Sequence, residues 1–272
     1  MLKIKEYVKA QSLEQAYELN QKRSSRIIGG MLWLKMSNAQ IQTAIDLSGL
    51  GLDQVEVTEE EIRIGCMVTL RELELNEALE HLSHGMVRES LRNIVGVQFR
   101  NLATIGGSIF GRFGFSDVLT GFLALDTYVE LYQGGILSLQ EFAEKKRDND
   151  ILVRVIVKKT PGKQVYLSHR NTKTDFPVLA VAVSSDIQGA RVVIGARPQK
   201  AVCAVIPEEW KKRIDQGNCQ EVELEKLAKE LSKKVPMGSN MRASAQYRSH
   251  LAAVLVRRGL LELQERGRQN AD

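Results

Sequence analysis

The sequence predicts an α+β chain made of two small N-terminal α/β subdomains and a C-terminal α/β domain. Three observations lead there. Short apolar runs alternate with segments opened by helix-capping residues; two glycine pairs, Gly29-Gly30 and Gly106-Gly107, sit in apolar settings; and successive strand-like runs after position 160 are followed by two helical segments. At 272 residues the chain is long enough for several compact units with a proper core. With 43% hydrophobic and 26% charged residues it reads as a globular chain rather than a disordered one.

The first subdomain covers positions 1–52. Glu6-Tyr7-Val8 is a short extended run. Ser12-Leu13-Glu14-Gln15 has capping-box spacing, in which two side chains three residues apart satisfy orphan amides at a helix start, and it opens a helix to about Asn20. Ile27-Ile28 is a buried strand entering the turn at Gly29-Gly30. Positions 31–36 are apolar enough to pack inward, and positions 43–47 form the next strand.

The second subdomain covers 53–160. Positions 54–57 and 61–64 alternate at period two, as a half-buried hairpin does. Thr69-Leu70-Arg71-Glu72 is a second capping box, starting a helix towards His81, and a further helix covers 87–95. After the second glycine pair, Ser116 caps a helix from Asp117 to about Leu125. Positions 128–132 are a strand, Ser138-Leu139-Gln140-Glu141 caps a short helix, and 151–157 closes the unit as a strand.

The C-terminal domain covers 161–268. Strands are predicted at 164–168, 178–184 and 191–195, then helices at 222–234 and 244–263, with a polar, frayed tail after Arg266.

Composition excludes several functions. No apolar run reaches the roughly 20 residues a spanning helix needs. Met1-Leu2-Lys3-Ile4-Lys5-Glu6 interleaves charge and lacks the apolar region of a secretory signal, so the predicted location is cytoplasmic. Cys66, Cys203 and Cys219 form no Cys-x-x-Cys, and His81 and His84 have no carboxylate-rich motif beside them, so no metal site is predicted. The net charge of +5 is spread along the chain, which describes a mixed solvated surface better than a nucleic-acid footprint.

Neither glycine pair fits Gly-x-Gly-x-x-Gly or a P-loop, and no serine lies in a nucleophile elbow. No catalytic residue is therefore predicted, and reactive chemistry would belong to a bound cofactor. Glycine can turn at positive φ and let another molecule touch the backbone. Successive exposed amides then suit a phosphate or pyrophosphate. Two such loops suggest a large phosphorylated cofactor held from two sides. Each alone also reads as a tight turn between packed elements, and Asp117 also reads as a carboxylate favouring a helix dipole.

Arg100-Asn101-Leu102-Ala103-Thr104-Ile105-Gly106-Gly107-Ser108, with Asp117 nine positions beyond Ser108, resembles the second flavin-binding signature of the FAD-binding medium subunit of molybdenum hydroxylases. That family includes xanthine dehydrogenase and carbon monoxide dehydrogenase type complexes; its pattern is Arg-Asn-x-x-Thr-Ile/Val-Gly-Gly-Asn/Ser with an Asp at the same offset. Gly29-Gly30 falls where the family has Ala-Gly-Gly-Thr-Asp-Leu, although Met31-Leu32-Trp33-Leu34 is wholly apolar here. Asp150-Ile151-Leu152, Gly195-Ala196-Arg197-Pro198 and Arg242-Ala243-Ser244-Ala245-Gln246-Tyr247-Arg248 extend the likeness over nearly the whole chain.

The resemblance implies a two-subdomain FAD-binding domain of the vanillyl-alcohol-oxidase-like (PCMH) type, a C-terminal domain, and FAD as cofactor. Ile28, Gly29 and Gly30, with the neighbouring backbone of Met31, Leu32 and Trp33, would meet the FAD diphosphate. Ala103, Thr104, Gly106, Gly107 and Ser108 would cradle the diphosphate and ribityl region. Asp117, on the helix that Ser116 caps, would accept a hydrogen bond from a sugar hydroxyl. Ile151 and Leu152 would lie against the flavin or adenine portion, while Tyr247 and Arg248 would tie the C-terminal domain together. The implied role is electron transfer from [2Fe-2S] clusters of a small partner to an acceptor such as NAD. Substrate would be hydroxylated at a molybdopterin centre in a large partner. Two alternatives stay open: a structural or assembly subunit with a degenerate flavin site, and a self-contained flavin oxidoreductase.

Overall fold

Three parallel strands organise the start of the chain, for which a computed structural model describes residues 1–269. β1 (Lys3–Lys9), α1 (Leu13–Asn20), β2 (Ser25–Ile28), α2 (Leu32–Lys35) and β3 (Gln40–Asp46) form a sheet of order β1-β3-β2. Parallel neighbours cannot be joined by a tight hairpin, so helical connections carry the chain across. Ser12 starts α1 by accepting from the Gln15 amide at 3.1 Å. The Gln15 side chain accepts from the Gln11 amide at 2.8 Å rather than from Ser12, so the capping box forms only by half. The apolar run expected to pack inward becomes the single turn α2, whose residues are half-buried or exposed; Met36 after it is exposed.

The second unit contains β4 (Val55–Val57), β5 (Glu61–Gly65), α3 (Leu70–Glu74), α4 (Glu77–Leu82), α5 (Met86–Leu91), α6 (Val97–Arg100), α7 (Ile105–Phe110), α8 (Asp117–Phe122), β6 (Thr127–Leu131), β7 (Gly135–Ser138), α9 (Leu139–Glu144) and β8 (Leu152–Lys158). Its antiparallel sheet runs β4-β5-β8-β6-β7. The helix predicted from Thr69 towards His81 is two helices. The Asn76 side chain accepts from the Leu79 amide at 3.0 Å and so starts a second helix where the first would have continued. The helix expected over 87–95 ends at Leu91, and the one from Asp117 ends at Phe122. Ile45, Ile64, Leu91, Ile105, Ile109, Phe122 and Val155 are fully buried in a core common to both units.

β9 (Gly162–Arg170), β10 (Pro177–Asp186), β11 (Gly189–Gly195) and β12 (Val202–Ile206) form an antiparallel sheet of order β12-β11-β10-β9, followed by α10 (Glu208–Asp215), α11 (Glu221–Lys233) and α12 (Ala245–Gln269). β12 and α10 were not predicted: Pro207 and the charged run after it hide a strand-to-helix passage. The tail expected to fray after Arg266 continues as α12 to Gln269; positions 270–272 lie outside the described residues.

Every residue of β10 is buried, because the sheet is covered on both faces. Ala180 and Ala182 join the N-terminal core, while Leu179, Val181 and Val183 join a second core with Leu227, Leu255 and Leu260 from the C-terminal helices. Small residues point one way because α8 comes close there: a Cβ placed on Gly195 would lie 2.0 Å from Thr120 Oγ1. Arg248 is wholly buried in the C-terminal unit and donates to the carbonyls of Val178, Gly238 and Ala243 and to the Asn240 side chain.

Candidate functional site

The two glycine pairs meet in space. A Cβ on Gly30 would lie 1.9 Å from the Leu102 carbonyl oxygen, and one on Gly29 would lie 2.7 Å from Thr104 Oγ1. A Cβ on Gly106 would come within 2.6 Å of the Cys66 carbonyl oxygen. None of Gly29, Gly30, Gly106 and Gly107 has left-handed backbone. At Gly29, Gly30 and Gly106 the missing side chain therefore serves close approach rather than the positive-φ turn expected from sequence. The left-handed residue of this region is Met31, at φ 59°, immediately before α2.

The loops differ in what their amides are free to do. Among the described residues, the amides of Gly29, Gly30, Met31, Leu32 and Trp33 donate to no protein group. Buried or cleft-facing amides need acceptors, so this run is suited to an anionic ligand. The second pair is not an open loop but the first turn of α7. Ile105 donates to Val68 O at 3.0 Å, Gly106 to Cys66 O at 2.9 Å, and Gly107 to Thr104 Oγ1 at 3.2 Å. What α7 presents is a surface stripped of side chains and the hydroxyls of Thr104 and Ser108; the Ser108 hydroxyl donates to Thr104 O at 2.9 Å.

Two cavities, of about 310 and 450 Å³, open from this junction and share Arg26, Ile27, Ile28, Gly29, Thr104 and Gly107 in their walls. Each lies in the size range of small-molecule sites. Gly30, Met31, Leu32, Trp33, Ala103, Ser108, Ser116 and Asp117 line the first, and Gly106, Ile151 and Leu152 line the second. Every residue to which the resemblance gives a cofactor contact thus borders one or both of these cavities. A polar junction between two chambers fits a ligand with a phosphate centre and a bulky group at each end, which describes FAD.

The first chamber is walled by aromatic rings. Trp33 lies 5.2 Å from Phe99, 5.5 Å from Phe115 and 5.2 Å from Phe176 between centroids, and Phe113 stacks on Phe115 at 5.2 Å. Phe113, Phe115 and Phe176 escaped the sequence reading. Phe113-Gly114-Phe115, directly before Ser116-Asp117, was the available signal for two of them, whereas nothing local marked Phe176.

Asp117 is buried and does not stand free. Its Oδ1 accepts from the Tyr166 hydroxyl and from Arg170 Nη2 at 2.6 Å. Burial raises its pKa, opposed by the Arg170 guanidinium and the Tyr166 hydroxyl. Arg100 of the second signature does not touch the cleft. It is buried against Glu74, with Nε to Oε2 at 2.7 Å, and donates from Nη1 to Ile94 O at 3.0 Å. Burial pushes Glu74 up, but the bonds from Arg100 and Arg71 outweigh it and hold the carboxyl below its usual value. In the second chamber, Arg26 and Arg147 have no carboxylate partner among the described residues. Burial drives the Cys66 thiol there to about 12, leaving it unreactive at neutral pH. Asp150 ties its loop, accepting from the amides of Gln133, Gly134 and Ile151. No cluster of three His, Cys, Asp or Glu able to hold a metal occurs among the described residues. Among them, too, no helix is long and apolar enough to cross a membrane.

Residues 2–159 match the family model described as FAD binding domain in molybdopterin dehydrogenase. Residues 164–263 match that of the CO dehydrogenase flavoprotein C-terminal domain. The chain is 24% identical over 271 residues to the uncharacterized protein YgfM of Escherichia coli strain K12, covering 98% of this chain and 99% of that one. Among solved structures, a chain of Cu,Mo-CO dehydrogenase superposes with a TM-score of 0.84 at 20% identity, covering 98% of this chain and 99% of the other. A chain of quinoline 2-oxidoreductase from Pseudomonas putida 86 superposes at 0.82 and 17% identity, covering 96% and 97%. At those identities the superpositions establish the fold.

With two matched domains and a cleft shaped for a dinucleotide, the chain belongs to the FAD-binding domain family of molybdopterin dehydrogenases and is an FAD-binding oxidoreductase subunit of the molybdenum hydroxylase type.

Proposed function

We propose that this chain is the electron-transferring flavoprotein of a cytoplasmic, xanthine dehydrogenase-like complex. It would take electrons from [2Fe-2S] clusters of a small partner and pass them to an acceptor such as NAD, while a large molybdopterin-binding partner hydroxylates substrate. The observation that carries this reading is the run of unspent amides from Gly29 to Trp33 at the junction of two chambers.

In this assignment the amides of Gly29, Gly30 and the following turn bind the diphosphate, and the glycine surface of α7 lets it approach. Ile28, Ala103, Thr104, Gly106, Gly107 and Ser108 close the junction. Asp117 accepts from a ligand hydroxyl in the first chamber, and Ile151 and Leu152 give the second an apolar wall. Bound FAD supplies reversible one- and two-electron chemistry. The chain's side chains bind, orient and exclude water, and none needs to act as an acid or base.

Chain purified without partners should carry flavin absorption in the visible region and release FAD on denaturation, and in complex with its partners it should reduce NAD. A second reading, an assembly subunit whose flavin site has decayed, draws on the apolar Met31-Leu32-Trp33-Leu34 turn. Colourless protein that takes up no added FAD yet still binds its partners would establish that reading instead.

A further inference from the structure

Asp117 belongs to α8, but the groups that grip it come from β9 across the junction with the C-terminal unit. The Tyr166 hydroxyl and Arg170 Nη2 both donate to Oδ1, and neither falls on Oδ2. The Asp117 and Arg170 side chains are 5% and 6% exposed, so this is no rim contact. Arg170 Nη1 donates to Asp175 O at 2.6 Å and Nε to Ser168 Oγ at 3.3 Å, so the guanidinium also fixes the loop that brings Phe176 to the first chamber.

Stability alone is a weak reason for such a pair, because desolvating two charges offsets most of their attraction. Placement beside a ligand cleft gives it another purpose. Arg170 cancels the carboxylate's negative charge next to a site suited to a diphosphate, and Tyr166 fixes which way the carboxylate faces. We propose that Tyr166 and Arg170 are positioning residues of the flavin site: by occupying Oδ1 they hold Asp117 with Oδ2 available to accept from the cofactor. This rests on the reading in which FAD fills the cleft. It makes the C-terminal unit a working part of the site rather than an appended domain.

The test is FAD titration of full-length apoprotein for wild type, Y166F, D117N, R170K and the Y166F/D117N double variant, with thermal unfolding of each apoprotein alongside. Y166F keeps the ring and loses one charge-assisted donor, so FAD affinity should fall about tenfold. R170K keeps the charge, loses the fork, and should fall similarly. If Tyr166 acts through Asp117, the double variant binds within about threefold of D117N, because the losses are not independent. Losses that multiply in the double variant, or Y166F and R170K binding FAD as tightly as wild type, overturn the positioning role. Should Y166F fail to fold, R170K and its pairing with D117N decide the matter in the same way. Wild type that binds no FAD would instead sink the reading of the cleft itself.

Discussion

Gly30 and Gly107 face the same cleft but answer to different constraints, and alanine at each separates folding from cofactor binding. At Gly30 the new methyl would lie 1.9 Å from Leu102 O and 2.5 Å from its carbonyl carbon. An ordinary carbon–oxygen contact is roughly 3.3 Å, so the loops must part by more than about 1 Å. Both partners are backbone and cannot swing aside. Overpacking of this kind costs about 1–3 kcal/mol. At roughly 2–4 °C per kcal/mol for a chain of this size, the apoprotein should melt roughly 2–12 °C earlier. At Gly107 the new methyl would meet Thr104 Oγ1 at 3.3 Å and, α7's own backbone aside, nothing else within 4 Å among the described residues; the residue lies inside α7. Relief of glycine's helix penalty, up to about 1 kcal/mol, roughly offsets the mild crowding. The melting point should therefore stay within about 2 °C, while the methyl projects into the cleft and weakens FAD binding at least about tenfold. Circular dichroism melts of the apoproteins and FAD titrations check both halves. Gly30→Ala melting like wild type, or Gly107→Ala melting early while binding FAD normally, would refute the assignment of roles.

Two further outcomes follow from Glu74, behind the cleft, and Met31, in its wall. Glu74 titrates below its unfolded value of 4.5, so its contribution is complete above that pH and is lost as acid carries the protein down through the folded pKa. Glu74→Gln leaves Arg100 buried without a counter-charge, should cost about 3–5 kcal/mol at pH 7, and should flatten the fall in melting temperature below pH 4.5. Met31→Gly relieves about 1 kcal/mol of left-handed strain, of which the freer unfolded chain returns roughly half. A rise of about a degree in melting temperature is expected; a drop of several degrees would mean that Met31 packing near Ile28, Ile41 and Ala44 outweighs the strain.

Local signals made the strands and most helix starts legible. Thr69, Ser116 and Ser138 cap helices where their spacing says they should. Helix ends were harder, since Asn76 begins a new helix in a stretch whose apolar pattern continues. The glycine pairs were legible, but the protein backbone they pack against was not, because close approach to Leu102 and Cys66 depends on residues far along the chain or on another element. For the same reason the partners of Asp117 were invisible: Tyr166 and Arg170 lie about 50 positions away on a strand whose alternation signals only burial. The spent amides of α7 were equally hidden, since a Thr-Ile-Gly-Gly-Ser string reads the same in an open loop and in a first helical turn.

β10 is a party wall, with alanines towards the cofactor side and larger aliphatics towards the C-terminal helices. A bulkier residue at Ala180 or Ala182 has nowhere to expand except towards α8, the helix that begins with Asp117. Substitutions deep in the C-terminal half can thus retune the grip on a ligand they never touch.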